Sequence, residues 1–396
     1  METWRRNLLV CWFAVFVVSV GMSQMAPMLP LYIEHMGIHD PAEISRWSGI
    51  VFGCNFVSLA IFSPIWGKFS DRYGRKTMIL RASLWLSIIM AAMGFAQSVY
   101  QLMGLRLLQG ALSGFQPAVI TLIATQTPKE RSGWALGMLF SGQVGGTLLG
   151  PVFGGYLTEV IGFRETFFVI GGFCFVAFLA CAIFVAEEKK TVTKQVLKSG
   201  EIWSSLTQPK TTICLFVTTL MIQFALMSVQ PILTVYIKHI SESSEHIAIV
   251  AGAVFAASGL ASVLAAPVLG KLSDRLGPQR VLLAALFAAG LLFIPQAFVE
   301  SPMELGVLRF LVGLAVAGLL PSINTLIRQT TPDKVAGRIF GYNQSAQHSG
   351  VVLGSIGGGQ IAAIFGIHYV FYITAALLLC NAFWVYRTIY QIRKPL

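Results

Sequence analysis

Charge is scarce in this chain: Asp, Glu, Lys and Arg together make up 11% of its 396 residues, against roughly 25% in a soluble globular domain. With 55% hydrophobic residues and a mean hydropathy of +0.72, the shortage excludes a surface built for water. Catalytic equipment is missing as well. There is no GxxxxGKS or GxxxxGKT phosphate loop, no HExxH helix and no GxSxG elbow, so neither nucleotide hydrolysis nor hydrolytic chemistry has its usual parts. The six cysteines (Cys11, Cys54, Cys174, Cys181, Cys214, Cys380) form no CxxC pair and have no metal-ligand spacing, and they read as small apolar residues inside helices. No enzyme activity, cofactor or metal is expected.

What the chain does have is apolar runs of about 20 residues, each long enough to cross a bilayer as a helix. Twelve are predicted, over 8–35, 44–66, 77–97, 101–125, 134–159, 165–186, 211–237, 246–269, 281–299, 303–327, 338–364 and 367–387. Arg5 and Arg6 before the first run resemble the start of a secretory signal, but the run continues to about Ile33 without a small-residue cleavage site, so a retained helix is expected. The net charge of +11 follows topology. With both termini in the cytoplasm, 23 of the 28 Lys and Arg fall on the cytoplasmic side, Arg46, Arg164 and Lys238 fall outside, and Arg106 and Arg309 lie within spans. This positive-inside bias predicts a multi-pass inner-membrane protein in contact with the lipid bilayer, and no nucleic-acid partner.

The sequence also repeats. Pro64-Ile-Trp-Gly-Lys-Phe-Ser-Asp71-Arg72-Tyr-Gly74 aligns with Pro267-Val-Leu-Gly-Lys-Leu-Ser-Asp274-Arg275-Leu-Gly277 at an offset of 203 residues; Arg106 meets Arg309 at the same offset, and Gly154-Gly155 meets Gly358-Gly359 at 204. Two homologous six-helix halves, 1–186 and 211–396, are predicted around a polar linker, 187–210, that carries five lysines.

The loop after the second span, Gly67-Lys-Phe-Ser-Asp71-Arg72-Tyr-Gly74-Arg75-Lys76, resembles the GxxxDRxGRK signature of the major facilitator superfamily. Glycine permits a tight reversal there, the aspartate suits a helix N-terminus, and the basic residues favour the cytoplasmic face. The fourth span reads Leu102-Met-Gly-Leu-Arg106-Leu-Leu-Gln109-Gly110, similar to the LxxxRxxQG pattern of the drug:proton antiporters in that superfamily. The fifth reads Gly146-Thr-Leu-Leu-Gly150-Pro151-Val-Phe-Gly154-Gly155, which resembles the antiporter element GxxxGPxxGG; the second half has Gly354-Ser355 at the corresponding place and lacks the proline.

The resemblance implies an all-α major facilitator fold and export of small lipophilic or amphiphilic compounds in exchange for protons by alternating access, by a single chain acting as a monomer. Gly67, Asp71, Arg72, Gly74 and Arg75, with Asp274 and Arg275 in the weaker second copy, are then a conformational latch. Gly150, Pro151 and Gly154 are a bending element. A charged turn and plain helix packing are the corresponding bland readings. Efflux of a dedicated metabolite such as a siderophore or sugar, uptake by symport, and a receptor that has lost transport stay open.

An arginine inside a membrane helix costs about 2.5–3.5 kcal/mol on insertion scales, so Arg106 either faces a cavity and couples protons or snorkels to the interface. Glu34 is its best acidic candidate partner. Gln347-His348 stands where similar antiporters tend to have Arg-Asp, which makes His348 a further proton-site candidate or a neutral buried histidine. Gln24, Asn55, Gln116, Gln143, Gln223, Gln230, Asn343 and Gln347 are amides within apolar runs, suited to line a cavity or to join helices. Met28, Phe115 and Met227 would offer that cavity soft apolar surface.

Overall fold

The computed structural model describes residues 2–128, 131–187, 208–241 and 246–390; most of the expected linker, 188–207, lies outside these, as does the side chain of Asp71. Twelve helical stretches are long and apolar enough to cross a bilayer, and no strand occurs among the described residues. By contact the chain divides into two compact units. One gathers Met1–Asp40, Ile50–Thr191 and Ser244–Ala256, the other Pro41–Gly49, Val192–Ser243 and Ala257–Leu396.

In the first unit α1 (Thr3–Ser23) and α2 (Met25–His35) share the first span; α3 (Pro41–Tyr73), most of which belongs to this unit, and α4 (Arg75–Gly94) follow. The fourth span is again divided, into α5 (Val99–Ala111) and α6 (Phe115–Gln126), before α7 (Ser132–Ile161) and α8 (Phe163–Phe184). The second unit repeats this order. Its first span comprises α9 (Pro209–Val229), a 3-10 turn Gln230–Ile232 and α10 (Leu233–Ile240); α11 (Ile247–Leu276), whose residues up to Ala256 belong to the first unit, and α12 (Pro278–Phe293) come next. Its fourth span is α13 (Pro302–Val316) with α14 (Leu319–Thr330), and α15 (Asp333–Phe365) and α16 (Ile367–Val385) complete it.

The apolar pattern predicted continuous spans at 8–35, 101–125, 211–237 and 303–327, and the structure interrupts all four. The causes are local. Proline removes an amide donor and clashes with the preceding turn, and Pro27 and Pro231 lie just past the breaks of the two first spans. Gly114, at φ +116, sits in the left-handed region that glycine tolerates, at the start of α6. Pro27 and Pro231, like Gly114 and Gly318, stand at the repeat offset of 204 residues.

Carbonyls released by a break need partners in a membrane, where no water serves them. At Gly114 the indole Nε1 of Trp66 donates to the Ala111 carbonyl at 2.6 Å and Arg81 Nη2 donates to that of Ser113 at 2.7 Å. The Arg81 guanidinium also lies 3.4 Å from the centroid of the Trp66 ring. The second unit has Leu269 and Ala284 at the matching positions.

Each unit has a glycine seam between its first and fifth spans. A Cβ at Gly146 would run into the Phe16 carbonyl, one at Gly150 into Ser23 Oγ, and one at Gly154 would lie 2.5 Å from Gln24 Oε1, so α7 rides directly on α1. Gly350, Gly354 and Gly358 do the same for α15 against the backbone of Leu220, Phe224 and Ser228 in α9.

Candidate transport site

Arg106 is the largest fully enclosed side chain, 2% exposed on α5. Its Nη1 donates to Gln109 Oε1 at 2.6 Å, its Nε donates to the Val51 carbonyl of α3 at 3.4 Å, and its guanidinium stands 5.7 Å from the Phe52 ring. Gln109 in turn donates from Nε2 to Met22 Sδ at 3.2 Å. This arrangement requires Gly110: a Cβ there would strike the Asn55 carbonyl, so only glycine lets α5 come this close to α3. The guanidinium is turned into the unit and does not snorkel, and among the described residues no carboxylate lies within ion-pair distance of it, Glu34 included. Glu34 is half-buried at the end of α2.

Arg309 is also buried in α13, at 7% exposure, with a buried Nε that has no partner. Val312 occupies the position that Gln109 holds in the first half. Among the described residues, the buried arginine oriented by a glutamine is therefore that of the first unit.

Carboxamides stand at the breaks of both first spans. Gln24, fully buried, has no partner for either Oε1 or Nε2, and Gln230 has none for Oε1. Buried polar atoms without partners are rare enough in native proteins that each asks for a ligand or a water.

The remaining cavity candidates separate by exposure. Gln116, Gln143, Gln223, Met227 and Gln347 are half-buried and present surface within their own units. Met28, Asn55, Phe115 and Asn343 are buried, at 1%, 3%, 5% and 2% exposure; helix packing claims Met28, Phe115 and Asn343, while Asn55 Oδ1 is buried without a partner, like the Gln24 carboxamide. Asn343 shows the reason: its Oδ1 accepts from Thr219 Oγ1 at 2.8 Å and joins α15 to α9. His348 is half-buried with its Nε2 3.3 Å from Gln344 Nε2.

In the signature loop, Gly67 sits inside α3 with open space around it, and the reversal occurs at Gly74, at φ +93. The carboxylate found at the N-terminus of α4 is that of Glu187: Oε1 accepts from the amide of Arg75 and Oε2 from that of Lys76, both at 2.8 Å. Arg72 lies over the Tyr73 ring at 5.5 Å, Arg75 is half-buried, and Asp274 and Arg275 are exposed. Sequence reasoning gave no role to Gln109, although it stood in the quoted motif. It gave no role to Arg81 either, although a cation one turn inside the 77–97 span was an available signal.

Broken helices repeated at one offset, an enclosed arginine and unpartnered carboxamides at the breaks define a polytopic membrane transporter and not an enzyme. The sequence profile of the Major Facilitator Superfamily matches residues 11–252 and 213–395, and the chain belongs to that superfamily. It is 43% identical over 384 residues to the multidrug resistance protein MdtG of Rahnella sp. (strain Y9602), covering 97% of this chain and 93% of that one. To the MdtG of Dickeya zeae (strain Ech586) it is 44% identical over 382 residues, covering 96% and 94%. A solved bacterial homolog of the human lysosomal transporter Spinster shares the fold at TM-score 0.80 and 14% identity, over 100% of this chain and 99% of that one.

Proposed function

We propose that the chain exports small lipophilic or amphiphilic compounds in exchange for protons, by alternating access of two six-helix halves, 1–186 and 211–396. The observation that carries the coupling step is Arg106, enclosed and held only by neutral partners. A fixed positive charge without a counter-ion raises the cost of a proton held nearby, so Arg106 favours proton release and couples it to substrate movement. His348 is the proposed proton-accepting partner in the second half, because imidazole titrates near physiological pH. Glu34 is the acidic alternative.

The groups proposed to meet cargo are, in the first unit, the half-buried Gln116 and Gln143 with the Gln24 carboxamide at its helix break and, in the second unit, the half-buried Gln223, Met227 and Gln347 with the Gln230 carboxamide at its break. These groups are uncharged, which suits neutral, zwitterionic or weakly amphiphilic cargo. The chain works as a monomer, and its termini and linker lie in the cytoplasm, an orientation supported by the Lys and Arg distribution.

The test is uptake into inside-out vesicles from a panel of lipophilic compounds, siderophores and sugars, with and without an imposed proton gradient. Gradient-driven uptake of several unrelated lipophilic compounds is expected, and uptake of one metabolite alone would replace the multidrug reading. Arg106→Ala is expected to abolish gradient-driven uptake while equilibrium binding and membrane abundance stay near wild type. Arg106→Lys should fail nearly as badly, because an ammonium cannot reproduce the fork that engages Gln109 and Val51 together. Wild-type coupling in both variants refutes the role of Arg106.

A further inference from the structure

A groove of about 730 Å³ runs between α12 and α16 on the second unit. Ala284 and Phe287 on one side and Leu379 and Phe383 on the other give it apolar walls, and Arg280 and Tyr386 close one end. Phe287 and Phe383 are 54% and 59% exposed, on helices that cross the bilayer. Arg387, one turn beyond Phe383 and next to Tyr386, does not itself line the groove but sets its guanidinium 4.9 Å from the Phe383 ring that does. Neither arginine has an ion-pair partner among the described residues.

The first half shows what is missing at this place. There the start of α4 receives the Glu187 carboxylate from the segment after α8, bonded to two backbone amides. In the second half no Asp or Glu follows Asp333 anywhere in the sequence, and the segment after α16 adds Arg387, Arg393 and Lys394 instead. The second loop copy, Gly277-Pro278-Gln279-Arg280, has lost the basic pair of the first and keeps one arginine that lines the groove. An apolar trough of ligand size with Arg280 in its lining, Arg387 on its Phe383 wall and no carboxylate complements a phosphate ester with a hydrocarbon tail.

We propose that the α12–α16 groove binds one anionic phospholipid, with its phosphate at Arg280 and Arg387 and an acyl chain along Ala284, Phe287 and Leu379. The site requires only that these helices lie in a bilayer, and it stands or falls independently of which compounds are exported.

The test is native mass spectrometry of the purified full chain in detergent, titrated with dioleoyl phosphatidylglycerol and, separately, with dioleoyl phosphatidylcholine. One tightly retained phosphatidylglycerol is expected, held in clear preference to phosphatidylcholine. Arg280→Gln should weaken its retention about fivefold and the Arg280→Gln/Arg387→Gln pair about 25-fold, the worth of one and two basic residues at an anionic lipid surface. Ala284→Trp, which fills the trough and leaves both charges, should also displace the lipid, whereas Lys238→Gln on α10 should change nothing. Equal retention of the two lipids, or unchanged phosphatidylglycerol retention in Arg280→Gln, overturns the proposal. If Ala284→Trp does not insert, the arginine variants decide alone.

Discussion

Arg81 and Trp66 show how one side-chain pair decides whether a broken helix is held. Each donates to a carbonyl at the α5–α6 junction, and the guanidinium stacks on the indole, so the two act as one cap. Arg81→Gln keeps a donor but loses the stacking and the charge; a hydrogen bond from a charged group contributes ~1.5–3 kcal/mol. A lowered thermal midpoint in detergent is expected, with Trp66→Phe falling in the same direction and the double variant costing less than the sum of the singles. Strict additivity would show that the two do not form a unit. At Gln109 the expectation concerns function: Gln109→Leu leaves Arg106 enclosed with a single backbone partner, so gradient-driven uptake should drop while the fold persists. A buried arginine in an apolar run is visible in sequence, but what orients it depends on which face of α5 meets α3, and periodicity alone does not give that.

Among the elements, the glycine seams were legible because their four-residue spacing repeats in both halves. Their consequence is steric and sharply local. Gly150→Ala drives a methyl group into Ser23 Oγ and the Val20 carbonyl and should cost ~1–3 kcal/mol as overpacking. Gly137→Ala on the same helix meets nothing within 4 Å and should not lower stability, since alanine is the better helix former. Equal thermal midpoints for the two variants would remove the seam from the account. Pro151 is in a different position. Its carbonyl lies against Gly252 of α11, within the same unit, and Pro151→Ala is expected to change the populations of conformers measured by spin-label distances more than it changes substrate affinity. A large change in affinity with unaltered distances would contradict this. The helix breaks were not legible in advance: apolar composition runs straight through 101–125 and 303–327, and the interruption at Gly114 is a backbone choice that hydropathy does not register.

For the whole molecule, the twelve spans and the duplication could be read directly, because length, apolarity and a fixed offset survive without any knowledge of side-chain contacts. Orientation is the part to be measured. Reporter fusions after Lys198 and at the C-terminus are expected to be active on the cytoplasmic side, and periplasmic activity at Lys198 would undo the topology. The site was less legible than the fold, since Met28, Phe115 and Asn343 have the composition of cavity residues and the burial of packing residues. The duplication is also imperfect in one respect that reaches beyond sequence. The carbonyls at the Gly114 break are bonded by Trp66 and Arg81, while the Gly318 break has Leu269 and Ala284 at those positions. The two junctions stand at the same offset but differ in backbone, φ +116 at Gly114 against −86 at Gly318, and in these side-chain bonds, so they should differ in how often they open. In deuterated buffer, amides just after Gly318 are expected to take up label sooner than those just after Gly114, and Arg81→Gln should bring the two uptake curves together.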